Sequence, residues 1–273
     1  MSNKIKQLQR VVALAIFVGA LPFVINAGAR ESRWMDDPHE KVGLTYGVSQ
    51  TVQTAYIWRG LYVGGWNTQI DANVGYGGLY IDMWWNIGSV DWKFSAFQPE
   101  VDFTIGFNRW GVHPYVAFIH NFNCPFFDFS NHPNGGNSLE LGLKYTVSSK
   151  IPLTVKWTTR VAASDGYLRE TVTDDGTVVT DTLRAYSSYA EVSYTHPFRD
   201  GYFITGAVGF TPWRSLYTGY QDRAALTNID LQVGKHWTVH PRLGLKLMGE
   251  ICVNPSAPIH VINTNIGLGI YLK

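Results

Sequence analysis

The sequence lacks several features that mark common protein classes. Beyond residue 30 no run reaches the roughly 18 apolar residues of a transmembrane helix, so no helical membrane span is expected. Basic and acidic residues are nearly balanced, 22 against 21, and their distribution does not suggest nucleic-acid binding. There are only two cysteines, Cys124 and Cys252, and none follows the N-terminal apolar run, which argues against a lipoprotein signal. The chain also has no low-complexity segment or linker.

The N-terminus has the pattern of a secretory signal. Three basic residues in the first ten precede an apolar run over residues 11–25, and Ala27-Gly28-Ala29 follows. A charged start, an apolar core and an Ala-x-Ala cleavage site are typical of a Sec signal peptide. We therefore predict a signal peptide over residues 1–29 and a periplasmic lead-in over residues 30–42. Without the three signal bases, 22 − 3 = 19 basic residues remain against 21 acidic ones.

From residue 43 onward the dominant pattern is alternation of apolar and polar residues. Val101, Phe103 and Ile105 would share one face of a strand, while Glu100 and Asp102 would share the other. A soluble sandwich also alternates, but its polar face looks outward. Aromatic residues make up 14% of the chain, and many lie beside predicted strand ends, as in the interfacial girdles of membrane barrels.

The spacing predicts an all-β fold, a transmembrane antiparallel up-and-down β-barrel of 12 strands over residues 43–273. Short connections follow every second strand and long ones follow the others, as expected for periplasmic turns and extracellular loops. One of these turns is predicted at Trp237–His240. The predicted strands are 43–58, 67–75, 78–88, 98–108, 111–122, 138–148, 151–162, 182–195, 201–211, 226–236, 241–252 and 260–272.

The first predicted hairpin carries a family-like pattern. It contains Ser49-Gln50, the run Thr54–Leu61, Gly64-Gly65-Trp66 and Gln69-Ile70-Asp71. Asp82–Trp85 and Glu100-Val101-Asp102 extend the pattern, which is strongest over residues 43–122. The sequence resembles the TorF-like porins, small Gram-negative outer-membrane proteins of poorly defined function. The resemblance implies an outer-membrane barrel that forms a pore, with no catalytic residues to carry over and with Arg59 as the position to single out.

Alternation also predicts which charged residues face the lumen. Charges inside a barrel require water or partners, because an isolated charge in low dielectric is strongly unfavourable. The set is therefore a ring that sets selectivity or a network of ion pairs that plugs a narrow barrel, and Arg59 is a solute contact or an anchor. The eight acidic and five basic candidates are Asp71, Asp82, Glu100, Asp102, Glu140, Glu191, Asp230 and Glu250, with Arg59, Lys144, Lys156, Arg160 and Lys246.

Enzymatic and metal sites are weakly supported by the sequence. His120 and Ser138 are expected near the outer ends of neighbouring strands, where a Ser–His dyad could form, but no oxyanion donor or orienting acid is identifiable. His236 and His240 have helical spacing but fall in a predicted turn. We predict no enzyme, no cofactor and no metal site.

The function expected from the sequence is passive or weakly selective passage of small polar solutes or ions across the bacterial outer membrane. The alternatives are a structural or partner-binding barrel that displays its loops and a lipid-modifying hydrolase. The expected partners are outer-membrane lipid and solutes, with a protein partner possible through the loops and no nucleic acid. The aromatic-rich segment over Cys124–Asn137 could fold into the mouth or form a docking surface, and Asp174-Asp175-Gly176 predicts an extracellular hairpin.

Overall fold

The computed structural model describes residues 43–91, 93, 96–133, 136–148, 150–257 and 259–272, and the predicted signal peptide and lead-in lie outside these residues. The strands in chain order are β1 (Leu44–Gln53), β2 (Tyr56–Trp58), β3 (Leu61–Gly64), β4 (Asn67–Tyr76), β5 (Leu79–Ser89), β6 (Phe97–Phe107), β7 (Val112–Asn121), β8 (Ser138–Thr146), β9 (Leu153–Ala163), β10 (Gly166–Val172), β11 (Val178–Arg184), β12 (Ser188–Pro197), β13 (Tyr202–Thr211), β14 (Ala225–His240), β15 (Leu243–Val253) and β16 (Ile262–Leu272).

Twelve of the described strands close into one antiparallel barrel, which confirms the predicted fold class. Neighbouring barrel strands pair in the order β1-β16-β15-β14-β13-β12-β9-β8-β7-β6-β5-β4, and β4 pairs with β1 to close the ring. The four other strands are not part of the barrel wall and form two separate hairpins, β2 with β3 and β10 with β11. The barrel is therefore an up-and-down meander with one insertion after β1 and one after β9.

Three predicted boundaries are wrong. The strand predicted over 182–195 begins within β11 and crosses a break before β12 starts at Ser188. The strand predicted over 43–58 leaves the barrel wall after Gln53, and its last residues form β2. The turn predicted at Trp237–His240 is instead the end of β14, which pairs with β15 up to His240 opposite Leu243. The alternation continues there, because Trp237 and Val239 are exposed apolar residues on the outer face. The connection is thus only Pro241-Arg242.

The outer face of the barrel is apolar. Outward positions on successive strands expose aliphatic and aromatic side chains, while the residues between them point into the barrel. An outward apolar band with a polar interior is the arrangement of a barrel in a bacterial outer membrane. Members of this band include Val74, Ile81, Ile105, Val116, Leu141, Leu143, Val155, Val192, Val208, Val233, Leu247 and Ile266.

None of the described residues belongs to a helix of the length and apolarity needed to cross a bilayer.

The hairpin of β10 and β11 forms a separate two-stranded ribbon on the long-loop side, as Asp-Gly predicted. Val172 pairs with Val178, and the tip lies at Asp175 and Gly176. The ribbon is not a straight continuation of the wall, because β9 ends at Ala163 and β12 begins only at Ser188. Ala163 and Tyr186 have φ values of 61° and 50°, so the chain bends at both breaks.

A carboxylate holds the root of this ribbon. The Asp165 side chain accepts hydrogen bonds from the Ser187 backbone N–H at 2.7 Å and from the Ser187 hydroxyl at 2.5 Å. The Ala185 backbone N–H donates to the Asp165 carbonyl at 2.9 Å. Burial raises the pKa of Asp165 above its ordinary value, against the opposing effect of the Ser187 hydrogen bonds.

Candidate functional site

The interior of the barrel contains a polar cavity of about 600 Å³. Its upper boundary is the hairpin of β2 and β3, through Tyr56, Trp58 and Arg59. It extends to Tyr80 and His113, which are the second residues of β5 and β7 at the short-turn end. The space therefore runs from the inserted hairpin almost to the periplasmic rim.

The β2–β3 hairpin turns into the lumen through a two-residue loop, Arg59-Gly60. Trp58 pairs with Leu61, and both loop residues have positive φ, 52° for Arg59 and 86° for Gly60. Positive φ at both central positions is the type I′ pattern, which matches the twist of the flanking strands. A Cβ at Gly60 would lie 1.8 Å from the Thr227 carbonyl oxygen, so the tip touches the residues of β14 closely.

Arg59 fixes this hairpin to the barrel wall through a two-pronged ion pair. Its Nη1 and Nη2 atoms donate to the two carboxylate oxygens of Glu140, each at 2.6 Å. Both side chains are nearly inaccessible, with 8% exposure for Arg59 and 2% for Glu140. Nη1 also donates to the Thr158 hydroxyl at 2.9 Å. Such planar, bidentate geometry is the strongest form of charged hydrogen bonding in proteins.

The loop over residues 212–224, which connects β13 to β14, also contacts the hairpin. Its buried Tyr217 accepts a hydrogen bond from Arg59 Nη1 at 2.5 Å and packs on Trp58 with ring centroids 5.5 Å apart. The Leu216 backbone N–H donates to the Ser187 hydroxyl at 2.9 Å, which ties this loop to the ribbon root. The β2–β3 hairpin and this loop together narrow the extracellular end of the lumen.

The cavity has one acidic and one basic side. Asp71, Asp82 and Asp102 line it from β4, β5 and β6, which are consecutive in the barrel. Lys144 and Lys156 line it from β8 and β9, where they are direct partners in the strand register. Glu250 adds a further acid from β15. A solute in this space would therefore meet charges of opposite sign on different parts of the wall.

The remaining predicted lumen residues are held by local partners. Glu100 accepts a hydrogen bond from the Tyr56 hydroxyl at 2.9 Å, and Arg160 lies over the Trp58 ring at 5.4 Å, so both contact the hairpin. Glu191 accepts from the Tyr189 hydroxyl. Asp230 accepts a hydrogen bond from the Gln232 side chain at 3.1 Å. The Lys246 ammonium lies 5.6 Å from the centre of the Phe203 ring.

Among the described residues, these thirteen candidates form a single ion pair, Arg59 with Glu140. The sequence leaves open whether these charges form a network of cross-strand ion pairs. Among the described candidates only the Arg59–Glu140 pair is present, so no such network forms. Most of the other candidates are hydrogen bonded to neutral groups or face the cavity. Their role in selectivity stays a prediction.

The possible Ser–His dyad does not form. Ser138 pairs with Ile119, which lines the lumen, whereas His120 is the next residue along β7 and points to the opposite face. His120 Nδ1 instead lies 2.7 Å from the Asn137 side-chain oxygen. His236 and His240 lie on β14 rather than in a turn, and no group of three or more His, Cys, Asp or Glu suited to a metal is found in the described chain.

The two cysteines are separate free thiols. The Cys124 thiol donates to the Asn137 side-chain oxygen at 3.2 Å, and the buried Cys252 thiol donates to the Asn228 side-chain oxygen at 3.1 Å. The sequence leaves open whether Cys124 and Cys252 form a disulfide, and in the structure they are not bonded to each other.

Several residues of the site were missed in the sequence. Trp58 and Tyr217 hold Arg59, while Trp84 and Tyr115 line the cavity. A signal for the hairpin exists, because Arg59-Gly60 is flanked by two short apolar runs, Tyr56–Trp58 and Leu61–Val63. The inward path of the Tyr217 loop has no comparable local signal.

Comparisons with known proteins agree with this architecture. No protein-family model and no curated protein sequence matches the chain. Among solved structures, the NanC porin is similar over 84% of this chain and 100% of its own, at 9% identity and a TM-score of 0.45. An outer membrane channel from Pseudomonas putida F1 is similar over 89% and 99%, at 11% identity and a TM-score of 0.44. The KdgM porin is similar over 83% and 98%, at 8% identity and a TM-score of 0.43. These neighbours are outer-membrane porin and channel barrels.

Proposed function

We propose that the protein is an outer-membrane channel for small polar solutes or ions, narrowed at its extracellular end by the β2–β3 hairpin, and that it is not an enzyme. The observation that carries this proposal is the cavity of about 600 Å³ with its charged walls. Charged side chains without ion-pair partners are stable inside a barrel when water fills it. A barrel with a purely structural role would be more stable with a packed apolar interior or with every charge paired.

The predicted conductance is small and weakly cation-preferring. The predicted lumen residues comprise eight acids and five bases, and because Glu140 and Arg59 neutralise each other, seven acids and four bases are left. The preference should fall as salt rises, because the screening length shrinks from about 10 Å at 0.1 M to about 3 Å at 1 M. Reversal potential across a planar bilayer under a salt gradient measures this preference.

Charge-neutralising variants test the role of the lumen residues. We expect neutralisation of Glu100 and Asp102 together to shift the reversal potential toward anions. Because Glu100 also binds Tyr56, the pair Asp71→Asn and Asp82→Asn is the cleaner variant, and Lys144→Gln with Lys156→Gln should shift the potential in the opposite direction. No conductance from correctly folded protein would refute the channel. An unchanged reversal potential would show that these residues do not determine ion selectivity.

The class of solute can be narrowed by swelling of liposomes that contain the purified barrel. Sugars, amino acids and nucleosides of similar size should be compared, with empty liposomes as the control. Swelling with at least one class supports the channel. A barrel that neither conducts nor swells liposomes but co-purifies with a specific protein would favour the second candidate, a partner-binding barrel. The narrowed extracellular end and the protruding β10–β11 ribbon are the features that favour this candidate.

We also propose that the resemblance to the TorF-like porins reflects kinship. The family-like run Thr54–Leu61 coincides with the start of the inserted hairpin, and Arg59 in this run makes its main wall contact. This coincidence supports a functional reason for the pattern. Conductance measured on a TorF-like porin before and after substitution of the matching arginine would test whether the constriction is shared.

A further inference from the structure

The aromatic loop, defined as residues 122–133 after β7, takes an unexpected path. It neither enters the mouth nor extends away from the barrel. Its Phe126 ring packs against Phe103, Phe118 and His120, with centroid distances of 6.1, 5.2 and 5.0 Å. Phe129 adds a second contact with Phe118 at 5.6 Å. The loop therefore bends back along β6 and β7.

The strand register shows that this contact is on the outer surface. Phe103 and Phe118 are direct partners, and the residues beside them, Asp102 and Ile119, line the lumen cavity. Successive side chains of a strand point to opposite faces. Phe103, Phe118 and His120 thus point away from the lumen, toward the space that lipid occupies around the rest of the barrel.

The loop presents an apolar surface of its own to that space. Phe122, Phe127 and Phe129 are 53%, 80% and 50% exposed. Beneath the loop, His120 is only 4% exposed even though it lies on the outer face. Phe126 is itself 40% exposed, so the aromatic loop replaces part of the lipid-facing wall with four exposed rings, and this surface is continuous with the apolar band of the barrel.

The backbone of the loop has the internal hydrogen bonding that contact with hydrocarbon requires. The side-chain amide of Asn137 lies within hydrogen-bonding distance of three loop carbonyls, those of Pro125, Phe126 and Asp128, at 2.9, 2.8 and 2.9 Å. Irregular backbone at membrane depth is tolerated only where its polar groups are satisfied by protein.

The loop also carries polar residues, with Asn123 near its start and Asp128, Ser130, Asn131 and His132 in its second half. The Asp128 carboxylate accepts a hydrogen bond from the Ser130 backbone N–H at 2.9 Å and lies 3.0 Å from His132 Nε2. The His132 carbonyl accepts from the Ser164 hydroxyl at 2.8 Å, next to the ribbon root on the extracellular side. The second half of the loop is thus tied to the rim through polar contacts, while its phenylalanine rings follow the wall.

We propose that the aromatic loop is a lipid-contacting element whose exposed phenylalanines, with Phe127 at the tip, lie among the acyl chains of the outer leaflet. The occupant of this surface is lipid, because the surface continues the lipid-facing band and is uncharged at its exposed rings. This inference concerns the exterior of the barrel and does not depend on conduction through the lumen.

Photo-cross-linking in intact cells tests the proposal. A photoreactive benzoylphenylalanine replaces Phe127, and the same replacement is made at Leu141, a lipid-facing wall position, and at Val172, which is exposed on the ribbon. Heat-modifiability on gels shows that each variant is folded. We expect position 127 to yield lipid adducts at a level close to that of position 141 and severalfold above that of position 172.

The other outcomes overturn the proposal. Lipid adducts at position 127 no more frequent than at position 172 would show that the loop stands in water. A single protein adduct in place of lipid would show that the surface is a protein-docking site. As a second variant, Asn137→Ala removes the clamp on the loop carbonyls and should lower the lipid adducts at position 127 while those at position 141 stay unchanged.

Discussion

The two hairpins that leave the barrel wall have opposite locations. The β2–β3 hairpin lies inside the lumen, where Tyr56 is 7% exposed. The β10–β11 ribbon protrudes from the extracellular end, where Val172 is 71% exposed. Both have tight tips with a glycine at positive φ, Gly60 and Gly176. Turn geometry therefore does not decide whether a hairpin enters the barrel.

What differs is the partners that each hairpin finds. Arg59 can be buried because Glu140, Thr158 and Tyr217 satisfy its guanidinium. The ribbon strands carry alternating threonine, valine and charged residues that pair with each other, and in the described residues no ion pair joins them to the barrel. An inserted hairpin is thus specified by the wall opposite it as much as by its own sequence.

Removal of the wall carboxylate should have the largest effect. Glu140→Gln leaves Arg59 as a buried charge without a counter-charge, which costs about 3–5 kcal/mol when a buried pair loses one partner. We expect the hairpin to leave its docked position and single-channel conductance to rise. The matched control is Glu170→Gln on the exposed ribbon, which should leave conductance unchanged. Equal conductance in the Glu140→Gln variant and the parent would show that the hairpin does not limit flow.

A comparison of the two tip glycines should give the next largest effect. Gly60→Ala costs about 1–2 kcal/mol from its positive φ and about 1–3 kcal/mol from overpacking against the Thr227 carbonyl. Gly176→Ala has the same type of φ, but nothing lies within 4 Å of its Cβ. Only the Gly60 variant should raise conductance. If both variants behaved alike, backbone strain alone, and not docking of the tip, would explain the result.

Loss of one hydroxyl should have a smaller effect. Tyr217→Phe removes the acceptor 2.5 Å from Arg59 Nη1 but keeps the ring contact with Trp58. We expect about 1 kcal/mol of destabilisation, because Arg59 retains Glu140 and Thr158. Brief openings of single channels should become more frequent. Tyr186→Phe, at an exposed position near the ribbon root, is the control, and an identical opening frequency in both variants would argue against a role for the Tyr217 hydroxyl.

Cleavage of the outer ribbon should have the smallest effect. Protease applied to intact cells is expected to cut at the exposed tip near Asp175 and Gly176, since this tip is on the long-loop side. The barrel should stay folded on gels and conduct as before, because the ribbon forms a separate sheet. Labelling of residue 175 only from the periplasmic side would show that the barrel has the opposite orientation. Loss of conductance after cleavage would show that the ribbon contributes to conduction through the lumen.

The barrel itself could be predicted because its signals are local. Alternation of apolar and polar residues assigns the faces of each strand, and turn residues such as Gly77-Gly78 separate neighbouring strands. Asp175-Gly176 gave the tip of the ribbon for the same reason. These patterns need no knowledge of distant residues, so the strand count and most of the boundaries were correct.

The inserted elements could not be predicted because distant contacts fix their positions. The alternation of residues 43–58 ends in the apolar run Ala55–Trp58, which is a local sign of the hairpin. The direction that the chain takes after Gln53 depends instead on Glu140, Thr158 and Tyr217, which are distant in sequence. The path of the aromatic loop depends on Asn137, which binds carbonyls 9, 11 and 12 residues earlier. Likewise, the charges that face the lumen follow from alternation, but their separation into an acidic and a basic side requires the strand order around the barrel.

The contacts of Arg59 have a consequence for the order of assembly. Its hydrogen-bond partners Glu140, Thr158 and Tyr217 are 81, 99 and 158 residues away in sequence. Closing such long loops is entropically costly and comes late in folding. The hairpin belongs to the part of the barrel that is translated first, yet its docking place exists only after β8, β9 and the loop before β14 are in position. The hairpin can therefore dock only after the segments that carry these partners have reached their places, so narrowing of the mouth follows formation of the wall around Glu140 and Thr158.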